Sequence, residues 1–152
     1  MAVITPAKAA ATMPANTNVH GTVTFTQWGD TVEVYARIEG LAPNSEHGFH
    51  IHQNGDISAP DLMSTGGHWD PAGHHHHGAP LAMDVHAGDL GNLRADADGV
   101  ATLHMMTKAF SLTKEPSAIG HAVIIHAKVD DFMTQPTGNA GGRVAGGVIQ
   151  KQ

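Results

Sequence analysis

The chain contains no cysteine, and this absence excludes two kinds of chemistry. With no thiol among its 152 residues, the protein can form neither a disulfide nor a thiolate metal site. The usual inference from disulfides to an oxidising compartment is lost as well. Any metal that this chain holds must therefore be bound without thiolate.

Positive charge is also scarce. Lys and Arg together number 8 against 14 Asp and Glu, which gives a formal net charge of −6 with neutral histidines. Binding to nucleic acid depends on clustered Lys and Arg, and here these residues are scattered, so we expect no nucleic-acid partner. Because the chain also lacks an apolar run of about 18 residues, we expect no membrane span.

Turn-forming residues, by contrast, are plentiful. The chain has 18 Gly and 8 Pro, and only 14% of its residues are charged, a composition that favours short strands joined by tight turns. Apolar and polar residues alternate clearly in two neighbouring runs that predict a hairpin, and less fully in several later ones. The predicted strands are residues 19–26, 31–39, 46–53, 93–96, 100–105, 121–127 and 144–149.

Two long segments, residues 54–92 and 130–143, lack this alternation. A connection as long as the first is unusual unless it is functional, and a bound metal would supply its missing order. The length of the chain suits a single domain over residues 1–152. We therefore predict an all-β domain of about eight strands, an antiparallel barrel or sandwich with two functional loops.

Thirteen histidines point to metal binding, because neutral imidazole is the commonest metal ligand. Strand alternation projects His50 and His52 to the same side, and His126 could complete a planar nitrogen set of the kind that copper(II) prefers. On its own, such a pair is more often ordinary polar surface. The first loop offers the three imidazoles and one carboxylate of a tetrahedral zinc site, or else a flexible loop with solvated histidines. These loop candidates are His68, one histidine of the run 74–77, His86 and Asp89.

An ordered set of motifs from about Val19 to Ile149 resembles the copper/zinc superoxide dismutases. The motifs are 48–52 (GFHIH), 55–56 (GD), 66–71 (GGHWDP), 77–80 (HGAP), 86–92 (HAGDLGN), 98–101 (DGVA), 123–131 (VIIHAKVDD) and 138–149 (GNAGGRVAGGVI). The resemblance implies a Greek-key β-barrel that disproportionates superoxide to oxygen and hydrogen peroxide at copper, with a structural zinc nearby.

The resemblance also implies a role for each site residue. Copper ligands would be His50, His52, His68 and His126; zinc ligands would be His68, His77, His86 and Asp89. His68 would bridge the two metals, although His76 or a shifted register could replace His77 as zinc ligand. Asp130 would hydrogen-bond one ligand of each metal, Arg143 would attract the superoxide anion, and His47 would be structural.

One departure from the family concerns its intrasubunit disulfide. Ile57 and Gly146 stand where the two cysteines would be, and such a cross-link is worth about 2–5 kcal/mol. We expect apolar packing of Ile57, worth roughly 1.5–3 kcal/mol if it is fully buried, and metal binding to replace it. The extra histidines 74–76 are either a solvated insertion or a device for recruiting scarce metal.

A non-catalytic copper/zinc-binding module, such as a metal chaperone or buffer, is the alternative function. Retention of the whole copper set together with Arg143 argues against it. By analogy with the family we expect a homodimer and a periplasmic or extracellular location. A cytoplasmic location stays open, since the N-terminal residues lack the basic and apolar regions of a secretory signal.

Overall fold

A computed structural model describes residues 8–13, 18–73, 76–80 and 85–152. Nine strands and one short 3-10 helix, Met63–Thr65, are found in this part of the chain. The strands are β1 (Lys8–Met13), β2 (His20–Trp28), β3 (Thr31–Glu39), β4 (Glu46–His52), β5 (Asp89–Arg94), β6 (Ala101–Thr107), β7 (Ala122–His126), β8 (Arg143–Val148) and β9 (Gln150–Lys151).

The strands form two antiparallel sheets. One has the order β6-β3-β2-β1-β9 and the other the order β5-β4-β7-β8. The sheets are linked at both edges, because β9 follows β8 directly but pairs with β1, and an isolated bridge joins Ala95 to Ala101. The predicted all-β, Greek-key type of architecture is thus confirmed, as a sandwich of two sheets.

The core lies between the sheets and follows the alternation of the sequence. On β3, Val32, Val34, Ala36 and Ile38 are fully buried, while Tyr35 on the other face is 46% exposed. Phe49 and Ile51 of β4 face the same core from the second sheet and are also fully buried. The faces that the alternation predicts for these strands are confirmed.

The two long loops are also present. Residues 53–88 connect β4 to β5, and residues 127–142 connect β7 to β8. Both loops leave the four-stranded sheet, so they cover its outer face rather than the inter-sheet core. Of the first loop, residues 74–75 and 81–84 lie outside the described residues.

At the two positions that replace cysteine, the packing differs from our expectation. Ile57 is only half-buried, so it cannot supply the stabilisation of a fully buried side chain. The apolar groups nearest Gly146 belong instead to Ile124 and Leu62: a Cβ added at Gly146 would lie 2.6 Å and 3.4 Å from their Cδ1 atoms. Leu62 is the residue of the first loop that packs there.

No helix in the described ranges is long and apolar enough to span a membrane.

Candidate metal centre

Strand geometry brings histidines from distant parts of the chain to one place. His50 and His52 alternate with the core residues of β4, so their rings lie on its outer face beneath the two loops and are fully buried. β7 pairs with β4 and ends at His126, and an isolated bridge between His52 and His68 holds the first loop against β4.

Four of these histidines form a first cluster, His50, His52, His68 and His126, whose candidate ligand atoms all lie within 4.8 Å of one another. Two ring nitrogens, His52 Nε2 and His126 Nε2, are only 3.2 Å apart. His50 Nδ1 and His68 Nε2 are buried and have no hydrogen-bond partner. Leaving buried nitrogens unpaired is costly, and a shared metal ion would resolve this.

The opposite nitrogen of each ring is fixed by a hydrogen bond. His52 Nδ1 donates to the Gly66 carbonyl at 2.8 Å, and His126 Nδ1 to the Gly141 carbonyl at 3.1 Å. His50 Nε2 donates to the Asp130 carboxylate at 2.7 Å. These bonds place the lone pair of each ring on the nitrogen that faces the cluster, as metal-binding histidines require.

A second cluster surrounds one carboxylate oxygen, Asp89 Oδ1. His68 Nδ1 and His77 Nδ1 lie 2.9 Å from it and His86 Nδ1 lies 3.4 Å away. His77 Nδ1 and His86 Nδ1 are nevertheless buried and make no hydrogen bond, so both are available as ligand atoms. Three imidazole nitrogens and one carboxylate oxygen are a donor set that suits tetrahedral zinc.

Asp130 connects the two clusters. Its Oδ2 accepts from His50 Nε2 and its Oδ1 from His77 Nε2, both at 2.7 Å. The clusters lie so close together that candidate ligand atoms of His50, His68, His77 and Asp89 also lie within 4.8 Å of one another. The Nε2 of His50 is already bonded to Asp130 and its Nδ1 is the free atom, so we assign the ring to the first cluster.

The electrostatics of the clusters follow from burial and from the two carboxylates. Burial lowers the pKa of His50 to about 3 and that of His126 to about 4, so both rings are neutral and able to act as ligands. Burial would raise the pKa of Asp89, but its close contacts with the rings of His68, His77 and His86 hold it well below its usual value.

His77 behaves differently from the first cluster. Burial opposes its charged form, yet its contacts with Asp130 and Asp89 raise the pKa of the ring to about 9. Hydrogen bonds from His50 and His77 outweigh burial at Asp130 and lower the pKa of that carboxyl. Two anionic carboxylates therefore flank His77. Their negative charge favours a positive charge beside them, which either a proton on the His77 ring or a bound metal ion would supply.

Three polar residues of this site were missed by the sequence analysis. Gln135 clamps the backbone of His77, accepting from its amide at 2.6 Å and donating to its carbonyl at 2.8 Å. Asn92 clamps the backbone of Asp130 in the same way, at 2.7 and 3.0 Å. Thr65 accepts from Arg143. Gln135 and Thr65 stand in no motif of their own. Asn92 ends the motif of residues 86–92 and lies on β5, but only the fold reveals its bond to Asp130.

Arg143 is half-buried beside the first cluster. Its Nη1 donates to the Leu62 carbonyl at 3.0 Å and to Thr65 Oγ1 at 2.9 Å. With His126 it lines a surface pocket of about 440 Å³. Both of these acceptors are neutral, so they fix the guanidinium without neutralising its charge.

The sequence also matches a known protein family. The profile of copper/zinc superoxide dismutase matches residues 19–149. The chain belongs to this family. Among solved structures, a crystal structure of the clock protein EA4 is 40% identical in sequence, with a TM-score of 0.88 over 100% of this chain and 99% of that one.

The described residues of this family member include every predicted site residue, and the fold brings all of them together. His77, which is fully buried and contacts Asp89, reaches the second cluster, whereas His76 is exposed. His74 and His75 lie outside the described residues, so the roles suggested for the extra histidines stay hypotheses.

The remaining histidines lie outside both clusters. His47 Nδ1 donates to the His126 carbonyl at 2.7 Å, so it supports a cluster residue through the backbone. His20 and His104 are exposed and contact Glu39 and Glu33. His121, to which the sequence analysis gave no role, stacks on Trp69 with ring centroids 4.3 Å apart.

The substitution Gly138→Ala should disturb the connection between the clusters. Gly138 has φ +73°, and a Cβ there would lie 1.9 Å from Asp130 Oδ1 and 2.7 Å from His77 Nε2. We expect a loss of about 1–3 kcal/mol in stability, together with lower metal content, measured by thermal unfolding and elemental analysis. Gly142→Ala is the control, because nothing lies within 4 Å of its Cβ position. Equal losses in both variants would contradict this prediction.

Proposed function

We propose that the protein is a superoxide dismutase. Copper would be held by the first cluster, His50, His52, His68 and His126, and zinc by the second, His68, His77, His86 and Asp89. The position of His68 carries this proposal: its Nδ1 lies 2.9 Å from Asp89 Oδ1, while its Nε2 is buried, unpaired and part of the first cluster. A single imidazole thus offers one nitrogen to each metal.

When bound, copper would supply the one-electron chemistry that oxidises one superoxide to oxygen and reduces a second to hydrogen peroxide, whereas zinc has no redox chemistry. The residues around it would then manage protons and orientation. His68 can take up a proton at Nε2 and release it to the reduced oxygen, because the second cluster holds its Nδ1 side in place. The His68 side chain is only 1% exposed, but the residue lines a surface pocket of about 630 Å³, which would connect the site to the solvent.

Arg143 would bind and orient the substrate. Superoxide is an anion and the chain has a net charge of −6, so attraction must come from a local positive group. The guanidinium shares a pocket with His126, and its two hydrogen bonds to neutral acceptors hold it there. An anion in this pocket would therefore lie between Arg143 and the copper cluster.

Two measurements on protein reconstituted with copper and zinc test the proposal. Copper EPR should show a nitrogen-ligated copper(II) signal, and the protein should remove superoxide catalytically. The alternative, a non-catalytic metal-binding module, predicts the first result without the second. That alternative needs testing, because the similar protein EA4 is described as a clock protein.

Arg143→Ala should lower kcat/KM for superoxide by roughly tenfold, the equivalent of about 1.4 kcal/mol of transition-state stabilisation. The reason is the loss of the only cationic side chain among the described residues that line the pocket beside His126. Arg143→Lys should retain part of the rate, because the charge remains while the forked geometry is lost.

The matched control for Arg143 is Arg94→Ala. The side chain of Arg94 is 78% exposed on β5 and contacts only Glu46 among the described ion pairs. Pulse radiolysis of both variants at equal copper content gives the rates directly. If the two variants retain the same activity, Arg143 does not act on the substrate.

A further inference from the structure

Two surface pockets reach the buried clusters: one meets only the first cluster, and the other meets the second cluster together with His68, which the two clusters share. The first, which we call the His126 pocket, has a volume of about 440 Å³ and includes Asp61, Met63, His126 and Arg143. The second, the His86 pocket, has about 630 Å³ and includes His68 and His86. His50, His52 and His77 line neither pocket. An ion that arrives through the first pocket therefore meets His126 first.

Met63 lines the His126 pocket and combines an exposed side chain with a hydrogen-bonded backbone. Its side chain is 61% exposed, although the turn beneath it is firmly bonded. The Met63 amide donates to Asp61 Oδ1 at 3.0 Å, and its carbonyl accepts from the Gly66 amide at 3.1 Å. Two residues further on, Thr65 is fully buried and is bonded to Arg143. A fixed turn thus presents a flexible thioether to the solvent beside the pocket.

The chemistry of the thioether suggests which metal it would meet. Thioether sulfur is a soft ligand that selects Cu(I), whereas imidazole and carboxylate suit zinc and copper(II). Because the chain has no cysteine, methionine is its only sulfur ligand. Asp61 lines the same pocket, and its negative charge offsets the repulsion between Arg143 and an approaching cation.

We propose that Met63 is a capture ligand for Cu(I). Its thioether binds the ion at the mouth of the His126 pocket and passes it to His126 by ligand exchange, with no change of oxidation state. Zinc reaches the second cluster through the His86 pocket and gains nothing from Met63. This inference rests on the proposed copper cluster but not on dismutase activity.

The test measures the rate of metal uptake by full-length apoprotein. Cu(I) is supplied anaerobically as its acetonitrile complex, and protein-bound copper is measured in samples quenched over time. Met63→Leu should slow Cu(I) uptake roughly tenfold and reach the same final copper content. Its uptake of Zn(II) and of Cu(II) should match that of the wild type.

Met133→Leu is the matched control. Met133 is 80% exposed, more than Met63, but it does not line the His126 pocket. This variant should load Cu(I) at the wild-type rate. A general effect of surface methionines on copper uptake would slow both variants equally and would overturn the proposal.

Three other results are decisive. If Met63→Leu takes up Cu(I) as fast as the wild type, or if its Zn(II) uptake slows as much, Met63 is an ordinary exposed side chain and the inference is wrong. If the wild type binds no copper in either oxidation state, the proposed copper cluster itself fails, and this inference fails with it.

Discussion

Removal of both metals should lower the melting temperature of the protein by at least about 10 °C. A ligand present at 1,000 times its dissociation constant stabilises the folded state by about 4 kcal/mol. One kcal/mol corresponds to roughly 2–4 °C for a domain of about 150 residues. Each tightly bound metal should therefore contribute on the order of 10 °C.

The structure explains why the effect should be large. Without metal, His50 Nδ1, His68 Nε2, His77 Nδ1 and His86 Nδ1 are buried without hydrogen-bond partners. No disulfide ties the first loop to the sheets, and Ile57 is only half-buried. Metal ligation would thus reinforce the hydrogen bonds that join residues 53–88 to β4, such as those of Ile51 with Gly88 and Trp69.

Calorimetry of holoprotein and chelator-treated protein measures the shift, and return of zinc and copper should reverse it. Addition of a phosphine reductant, which carries no zinc-binding thiol, to the zinc-loaded protein is the control and should leave the melting temperature unchanged, because there is no disulfide to reduce. Equal melting temperatures with and without metal would show that apolar contacts, such as that of Leu62 beside Gly146, order the loop unaided.

The sequence was most informative where the two-residue alternation of a strand, or a motif, determines which side chains lie on the same face. Alternation placed Val32, Val34, Ala36 and Ile38 on the core face of β3, and it placed His50 and His52 together on the opposite face of β4. It could not reveal that this opposite face is buried, because the loops that cover it come from elsewhere in the chain.

Other features left no local signal. β1, Lys8–Met13, was not predicted, since its sequence KAAATM has no alternation and it becomes a strand by pairing with β2 and β9. The packing of Leu62 beside Gly146 was missed for a similar reason: 84 residues separate the two, and only the return of β8 to the first loop brings them close. Long-range pairing decides both cases.

Asp130→Ala should weaken metal binding at both clusters, by about 10–100-fold at each. The carboxylate accepts from His50 Nε2 and from His77 Nε2, so its loss frees one candidate ligand of each metal to rotate. It also leaves two buried ring N–H groups unpaired, at about 1–3 kcal/mol each. Competition with chelators of known affinity measures the loss for copper and zinc separately.

Asp131→Ala provides the control. The Asp131 carboxylate is next to Asp130 in sequence, but it accepts hydrogen bonds from Met133 and Thr134 within the loop and from neither histidine. If Asp130 has a purely structural role, Asp130→Ala lowers stability without changing the EPR spectrum of bound copper. If it positions His50, the variant also changes that spectrum, because the His50 ring is no longer held. Wild-type affinity at the second cluster would show that the Gln135 clamp on the His77 backbone orients this ring without the carboxylate, and wild-type affinity at the first cluster would show that His50 does not need the carboxylate. If both affinities fall together, Asp130 couples the two clusters, since each metal then depends on a ring that is held by the same side chain.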